Sequence, residues 1–162
     1  MSKLIPYALY LYLVALHVVI LEETTAIFSI AFNLPVLLVM IIALYKSETA
    51  AAWFGFGVGL VLGAAVPSTM GWHALALAAI AFAAFNLRER LNIESVYARL
   101  LIVVTGTLLH NLLTVGLYQT EGLFALFFTA GLGGTVYTAV IGWAVLGVKE
   151  GSLTWARIKS IF

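Results

Sequence analysis

Apolar stretches of membrane-spanning length alternate with short polar connections along almost the whole chain. A helix needs about 20 apolar residues, with a range of roughly 17–25, to cross the hydrocarbon core of a bilayer. The pattern predicts six helices, near residues 4–21, 33–45, 50–66, 71–87, 99–118 and 122–148. The second of these helices could begin earlier, with Pro35 in its first turns, or residues 24–32 could lie flat in the membrane interface.

The composition of the chain indicates a surface that faces lipid. Hydrophobic residues make up 64% of the 162 residues, and charged residues make up 9%. A soluble domain is about a quarter charged. We therefore predict an all-α integral membrane protein with a single transmembrane domain over residues 1–162. The absence of cysteine excludes disulfides and thiolate metal sites, and no basic stripe is long enough to favour nucleic acid as a partner.

The basic residues are distributed as expected for an even number of spans. With six helices and a cytoplasmic N-terminus, every lysine and arginine lies on the cytoplasmic side. This agrees with the rule that short loops rich in lysine and arginine stay in the cytoplasm. The connections on the other side contain Glu22, Glu23 and Glu121 and no basic residue. We therefore expect both termini in the cytoplasm. The first apolar stretch is longer than the core of a signal peptide, so we expect it to be retained. The basic residues are Lys3, Lys46, Arg88, Arg90, Arg99, Lys149, Arg157 and Lys159.

The last segment, residues 150–162, has a different pattern. Trp155 and Ile158 fall on one helical face, and Arg157 and Lys159 lie elsewhere. This arrangement predicts a short amphipathic helix on an anionic membrane surface, with a fraying basic tail as the alternative.

Helix 3 contains Gly55, Gly59 and Gly63, a doubled G-x-x-x-G spacing. Glycines at this spacing form one flat face that another helix backbone can approach closely. Two interpretations stay open, which are packing inside the bundle and binding of a partner helix.

Two adjacent polar residues, His110 and Asn111, lie in the middle of predicted helix 5, and His17 lies late in helix 1. A polar side chain at this depth normally has a partner or lines a cavity. An interhelical hydrogen bond and a lined pocket or partner contact are the two alternatives.

Catalysis has little support in the sequence. There is no Asp, no H-E-x-x-H motif, and Glu22-Glu23 lack the arginine that the E-E-x-x-x-R protease motif requires, because Ile27 or Phe28 stands there. All acids lie in loops or at helix ends, which argues against ion-coupled transport. We expect no catalytic residue, no metal and no cofactor.

Several segments in the middle of the chain, roughly residues 34–114, together form the pattern of a known family. They are residues 35–38 (PVLL), Lys46, residues 55–60 (GFGVGL), residues 71–75 (GWHAL) and the basic loop at residues 88–99. This pattern resembles the rod shape-determining MreD family. The family has an acid where this chain has Val36, and another where it has Gly63, so no role of those carboxylates is carried over.

This resemblance implies a non-enzymatic subunit of the bacterial cell-elongation complex in the inner membrane. Such proteins bind the transmembrane helix of MreC and work beside RodA, the elongation-specific penicillin-binding protein and the actin-like MreB. Their fold is similar to the compact six-helix substrate-binding subunits of energy-coupling-factor transporters. The basic residues expected to contact MreB or membrane lipid are Arg88, Arg90, Arg99, Arg157 and Lys159.

A substrate-binding subunit of a vitamin importer is the alternative function. It would need a polar pocket near the outer face, formed by His17, Asn33, Trp72 and His73. The alanine spacing that these subunits use on helix 1 is missing here, which counts against this alternative.

Overall fold

The computed structural model describes residues 5–21, 30, 32–64, 66–91, 93, 95–118 and 127–150. The structure is all-α, and helix covers 92% of the described residues. Its helical segments match the predicted number of six. The α-helices are α1 (Ile5–Leu16), α2 (Leu34–Tyr45), α3 (Glu48–Gly63), α4 (Met70–Leu91), α5 (Val96–Tyr118) and α6 (Gly134–Lys149). A π-helical turn (His17–Leu21) extends α1, a 3-10 turn (Pro67–Thr69) precedes α4, and a π-helical segment (Phe127–Gly133) leads into α6.

Three of the helical segments are long and apolar enough to cross a membrane. The other three apolar helices have 10–17 residues, and at about 1.5 Å per residue a helix of that length is shorter than the roughly 30 Å hydrocarbon core. The chain is therefore a helical membrane protein by the length and composition of its helices, and the crossing of all six stays a prediction. The long segments are Pro67–Leu91, Val96–Gly116 and Phe127–Lys149, and the shorter ones are Ile5–Ile20, Leu34–Tyr45 and Glu48–Gly63.

Several of the observed helix ends differ from the predicted ones. α3 begins at Glu48 after the N-cap Ser47, and α4 continues to Leu91. α6 itself begins only at Gly134, after the π-helical segment. The predicted interfacial tail and most of residues 24–32 lie outside the described residues.

The helix α2 is the centre of the bundle and contacts all five other helices. A helix that is apolar on every side is expected to be buried on every side. Asn33 starts α2, because its side-chain Oδ1 accepts a hydrogen bond from the Val36 N–H at 3.2 Å, and Pro35 follows in the first turn. The buried residues of α2 are Pro35, Val36, Leu37, Val39, Met40, Ile42, Ala43 and Leu44.

The pair α3 and α4 is the most closely packed part of the fold, because glycines line its contact. A Cβ atom on Gly55 would lie 2.7 Å from the carbonyl oxygen of Leu77. A Cβ on Gly59 would overlap the backbone of His73 and Ala74, and one on Gly63 would overlap Met70. The two backbones thus approach to a distance that no larger residue permits.

All described charged side chains gather at one end of the bundle. They belong to the C-terminal ends of α2, α4 and α6 and to the N-terminal ends of α3 and α5, which neighbouring antiparallel helices bring together. The opposite half of the described bundle has only uncharged polar groups. These charged residues are Lys46, Glu48, Arg88, Glu89, Arg90, Arg99, Lys149 and Glu150.

We expect Gly59→Ala to destabilise the protein by about 1–3 kcal/mol, because the added methyl group has to displace the α4 backbone. Gly71→Ala is the matched control, since a Cβ on Gly71 meets nothing within 4 Å. It should be neutral or slightly stabilising, as alanine is the better helix former. Thermal unfolding of both variants in mild detergent measures the difference. Equal stability of the two variants would contradict the close α3–α4 contact.

Candidate functional site

A cluster of uncharged polar side chains lies inside the bundle where α2 begins. The amide Nδ2 of Asn33 donates to Oδ1 of Asn111 at 2.9 Å and lies 3.4 Å from Nδ1 of His110. His110 and Asn111 are 4% and 8% exposed. The structure thus brings together the two polar residues that the sequence singled out on helix 5, and it adds Asn33 from α2.

The helix α6 completes this cluster with two threonines. The backbone N–H of Asn33 donates to Oγ1 of Thr138 at 2.8 Å, and Nδ2 of Asn111 donates to Oγ1 of Thr135 at 3.2 Å. Both threonines are buried, and each also donates to a carbonyl four residues earlier. The cluster therefore ties α2, α5 and α6 together by hydrogen bonds between helices, which was one of the two alternatives for His110 and Asn111.

The histidines of the bundle lie near this cluster but do not form a metal site. The rings of His73 and His110 have their centroids 5.9 Å apart, and His17 packs against Phe32 at 5.0 Å. No group of three or more His, Cys, Asp or Glu that could hold a metal ion is present in the described part of the chain. The buried Nε2 of His110 has no hydrogen-bond partner among the described residues.

The four residues of the alternative vitamin pocket have different surroundings. Asn33 bonds to α5 and α6, and His17 packs on a phenylalanine ring. The ring of His73 lies beside that of His110, which borders the same polar cluster as Asn33. Trp72 is 45% exposed and lines a groove on the outside of the bundle. The structure thus places His73 next to the cluster that contains Asn33, whereas Trp72 lies on the outer surface.

The glycine face of α3 is occupied within the chain. Gly55, Gly59 and Gly63 are buried, and each faces α4. Binding of a partner helix on this face, one of the two alternatives from the sequence, does not fit, because α4 already fills the groove. The glycines are helix-packing residues in this structure.

The charged end contains a connected group of polar contacts. Arg99 forms an ion pair with Glu150, and the Tyr45 hydroxyl donates to Oε1 of Glu150 at 2.8 Å. Arg88 pairs with Glu89 and donates to the carbonyl oxygen of Ala43 at 3.2 Å.

These contacts separate the basic candidates into two groups. Arg88 and Arg99 are partly buried and hold helix ends together, whereas Arg90 is exposed. Arg157 and Lys159 lie outside the described residues.

Two apolar grooves run along the outside of the described bundle. The groove between α4 and α5 has cavities of about 430 and 200 Å³ that share residues Ile80, Ala83 and Leu109. The groove between α5 and α6 has a cavity of about 480 Å³ lined by larger side chains such as Leu100, Val136 and Trp143.

Sequence reasoning missed the roles of Thr135 and Thr138, and it missed that Asn33 belongs with Asn111. Thr135 and Thr138 are three residues apart, a spacing that puts both side chains on one helix face. The order Asn33, then Pro35 in the first turn, is a signal for a helix start. These signals show each polar face but not which faces meet.

We expect Asn111→Leu to destabilise the protein by about 1–2 kcal/mol, because it removes the bonds to Asn33 and Thr135 at nearly constant volume. Asn86→Leu is the control, since among the described residues the Asn86 amide bonds to the Phe82 carbonyl on its own helix and to no other helix. Combining Asn111→Leu with Asn33→Ala in a double-mutant cycle should give less than the sum of the single losses. Additive losses would mean that the two asparagines do not interact.

Comparison with known proteins gives no match. No family model, no curated protein and no solved structure matches this chain.

Proposed function

We propose that this chain is a non-enzymatic scaffold subunit of the bacterial cell-elongation complex, similar to MreD. In this proposal it lies in the inner membrane with both termini in the cytoplasm. It binds the transmembrane helix of MreC beside RodA and the elongation-specific penicillin-binding protein, and thereby supports peptidoglycan synthesis and rod shape.

The main support for this proposal is that two of the segments that resemble the MreD family pack against each other. The segment at residues 55–60 and the segment at residues 71–75 lie in α3 and α4 and face each other, with Gly59 directly on the backbone of His73 and Ala74. The residues on which the resemblance depends therefore act together, as the contact between two helices. A fold similar to the substrate-binding subunits of energy-coupling-factor transporters is part of the same proposal.

The groove between α4 and α5 supports binding of a single transmembrane helix. In lipid, helices associate through close packing and hydrogen bonds, so small residues favour a helix interface. Ala76, Ala79 and Ala83 line this groove on α4, and Gly106 lines it on α5. From Trp72 to Leu87 the groove covers 16 residues, and the 15 steps between them span roughly 22 Å at 1.5 Å per residue.

The groove between α5 and α6 is the less suitable of the two. Its walls are formed mainly by branched or aromatic side chains, including Val136, Val140 and Trp143, which hold a second helix at a greater distance. This difference makes the second groove a matched control for the first.

The charged end supports a role at the cytoplasmic surface. The exposed Arg90 on α4 is available to MreB or to anionic lipid, and Arg157 and Lys159 belong to the same proposal by sequence. Arg88 and Arg99 are engaged within the bundle, so we expect them to contribute mainly to stability.

We expect Ala79→Leu to lower the recovery of MreC with the tagged protein by about tenfold or more, because a bulky side chain would fill the exposed floor of the α4–α5 groove. Ala139→Leu makes the same change in the α5–α6 groove and should leave recovery unchanged. The measurement is co-purification in mild detergent from cells that express both proteins, with protein and small molecules identified.

Two outcomes would reject the α4–α5 groove as the binding site of MreC, and a third would reject the proposed function. Loss of MreC only with Ala139→Leu would place the partner in the other groove. Equal recovery from both variants and the unchanged chain would reject both grooves. Recovery of a vitamin or of a transporter ATPase pair instead of MreC would support the importer alternative.

A further inference from the structure

A cavity of about 450 Å³ lies between the start of α1 and the end of α2, at the charged end of the bundle. It is lined by Pro6, Tyr7 and Tyr10 from α1, and by Ile42 and Lys46 from α2 and its C-cap. This cavity, which we call the notch, thus combines one cation, two phenol rings and an apolar wall.

The two tyrosines are held in place by one ring of α3. Phe54 is 4% exposed, and its ring centroid lies 6.0 Å from that of Tyr7 and 6.3 Å from that of Tyr10. Such tilted and edge-on contacts fix aromatic rings in a packed core. Both rings are therefore anchored in the wall of the cavity that Lys46 also lines, with Tyr10 still 39% exposed.

The charges around this notch have a positive excess. Lys46 lies close enough to Lys149 to repel it, and Arg99 adds to that repulsion. Of the three described carboxylates at this end, Glu150 pairs with Arg99 and Glu89 pairs with Arg88, and Glu48 lies exposed two residues after Lys46. Neither lysine forms an ion pair with a described residue, although Lys149 lies over the Tyr45 ring at 3.3 Å. A bound anion would relieve the repulsion.

We propose that the notch formed by Pro6, Tyr7, Tyr10, Ile42 and Lys46 binds the headgroup of an anionic phospholipid. The ammonium group of Lys46 pairs with the phosphodiester, and the tyrosine hydroxyls donate hydrogen bonds to its oxygens. The acyl chains lie along the apolar wall of Pro6 and Ile42. This site is separate from both outer grooves and does not depend on the proposed binding of MreC.

The surroundings favour a lipid over a soluble anion. Tyrosine rings between an apolar helix and a charged helix end are typical of the membrane interface, where lipid phosphates lie. Basic residues at that level attract anionic lipid. A soluble anion would gain nothing from the apolar wall.

The test compares Lys46→Gln with Arg90→Gln in the purified full-length chain, using native mass spectrometry in mild detergent. The probes are phosphatidylglycerol, phosphatidylcholine with the same acyl chains, and free glycerol 3-phosphate. We expect Lys46→Gln to weaken phosphatidylglycerol binding about five-fold while phosphatidylcholine binding stays unchanged. Arg90→Gln removes one exposed cation at the same end but outside the notch, so it should lower phosphatidylglycerol binding clearly less than Lys46→Gln does. Tyr10→Phe should lower the affinity by a smaller factor.

Each other outcome overturns the assignment. Unchanged phosphatidylglycerol binding by Lys46→Gln would exclude the notch. An equal loss in Arg90→Gln would indicate attraction to the whole charged end instead of a defined site. Displacement of the lipid by glycerol 3-phosphate at a similar concentration would identify a site for soluble anions. Because the Lys46 side chain is exposed, Lys46→Gln should keep the thermal stability of the unchanged chain.

Discussion

The structure depends on satisfying the backbone groups at the two ends of α2. A central helix surrounded by apolar side chains has little water to pair its terminal groups, and each polar group left unpaired in an apolar environment costs several kcal/mol. At the N-terminal end, Asn33 accepts from Val36 and is itself held by α5 and α6. At the C-terminal end, Arg88 from α4 donates to the carbonyl oxygens of Ala43 and Lys46. A cation at this end is also favoured by the helix dipole.

This requirement explains why the polar groups of the bundle form two separate sets. The 12 residues of α2 are about 18 Å long, so Asn33 lies well inside an apolar layer of about 30 Å if Tyr45 marks its edge. Uncharged hydrogen-bonding groups gather around Asn33, because burying a charge would cost more. Charged groups gather at the other end, where Arg99, Glu150 and Tyr45 join three helices. Both ends therefore hold helices together, one through uncharged hydrogen bonds and the other through charged groups.

The sequence was sufficient for properties that one helix carries by itself. Hydropathy predicts six apolar segments, and the spacing of Gly55, Gly59 and Gly63 predicts a face that permits close approach. It was not sufficient for properties that two helices share. Nothing in the glycine spacing identifies α4 as the partner, so the sequence left packing inside the bundle and binding of a partner helix open, and the structure shows the glycines packed against α4. Thr135 and Thr138 were missed because a threonine bonded to its own helix is common, and only the fold places them beside Asn33 and Asn111.

The alanines of α4 show why the pairing of helix faces, which the sequence does not reveal, matters for function. Ala74 and Ala81 are fully buried against α3, whereas Ala79 and Ala83 are exposed on a different face of the same helix. In the sequence these residues form one alanine-rich stretch, and all of them would permit a close helix contact. The fold uses the first face for its own packing and leaves the second one open to lipid. A small-residue face already filled by a neighbouring helix stabilises the protein, and only one left open can receive a partner.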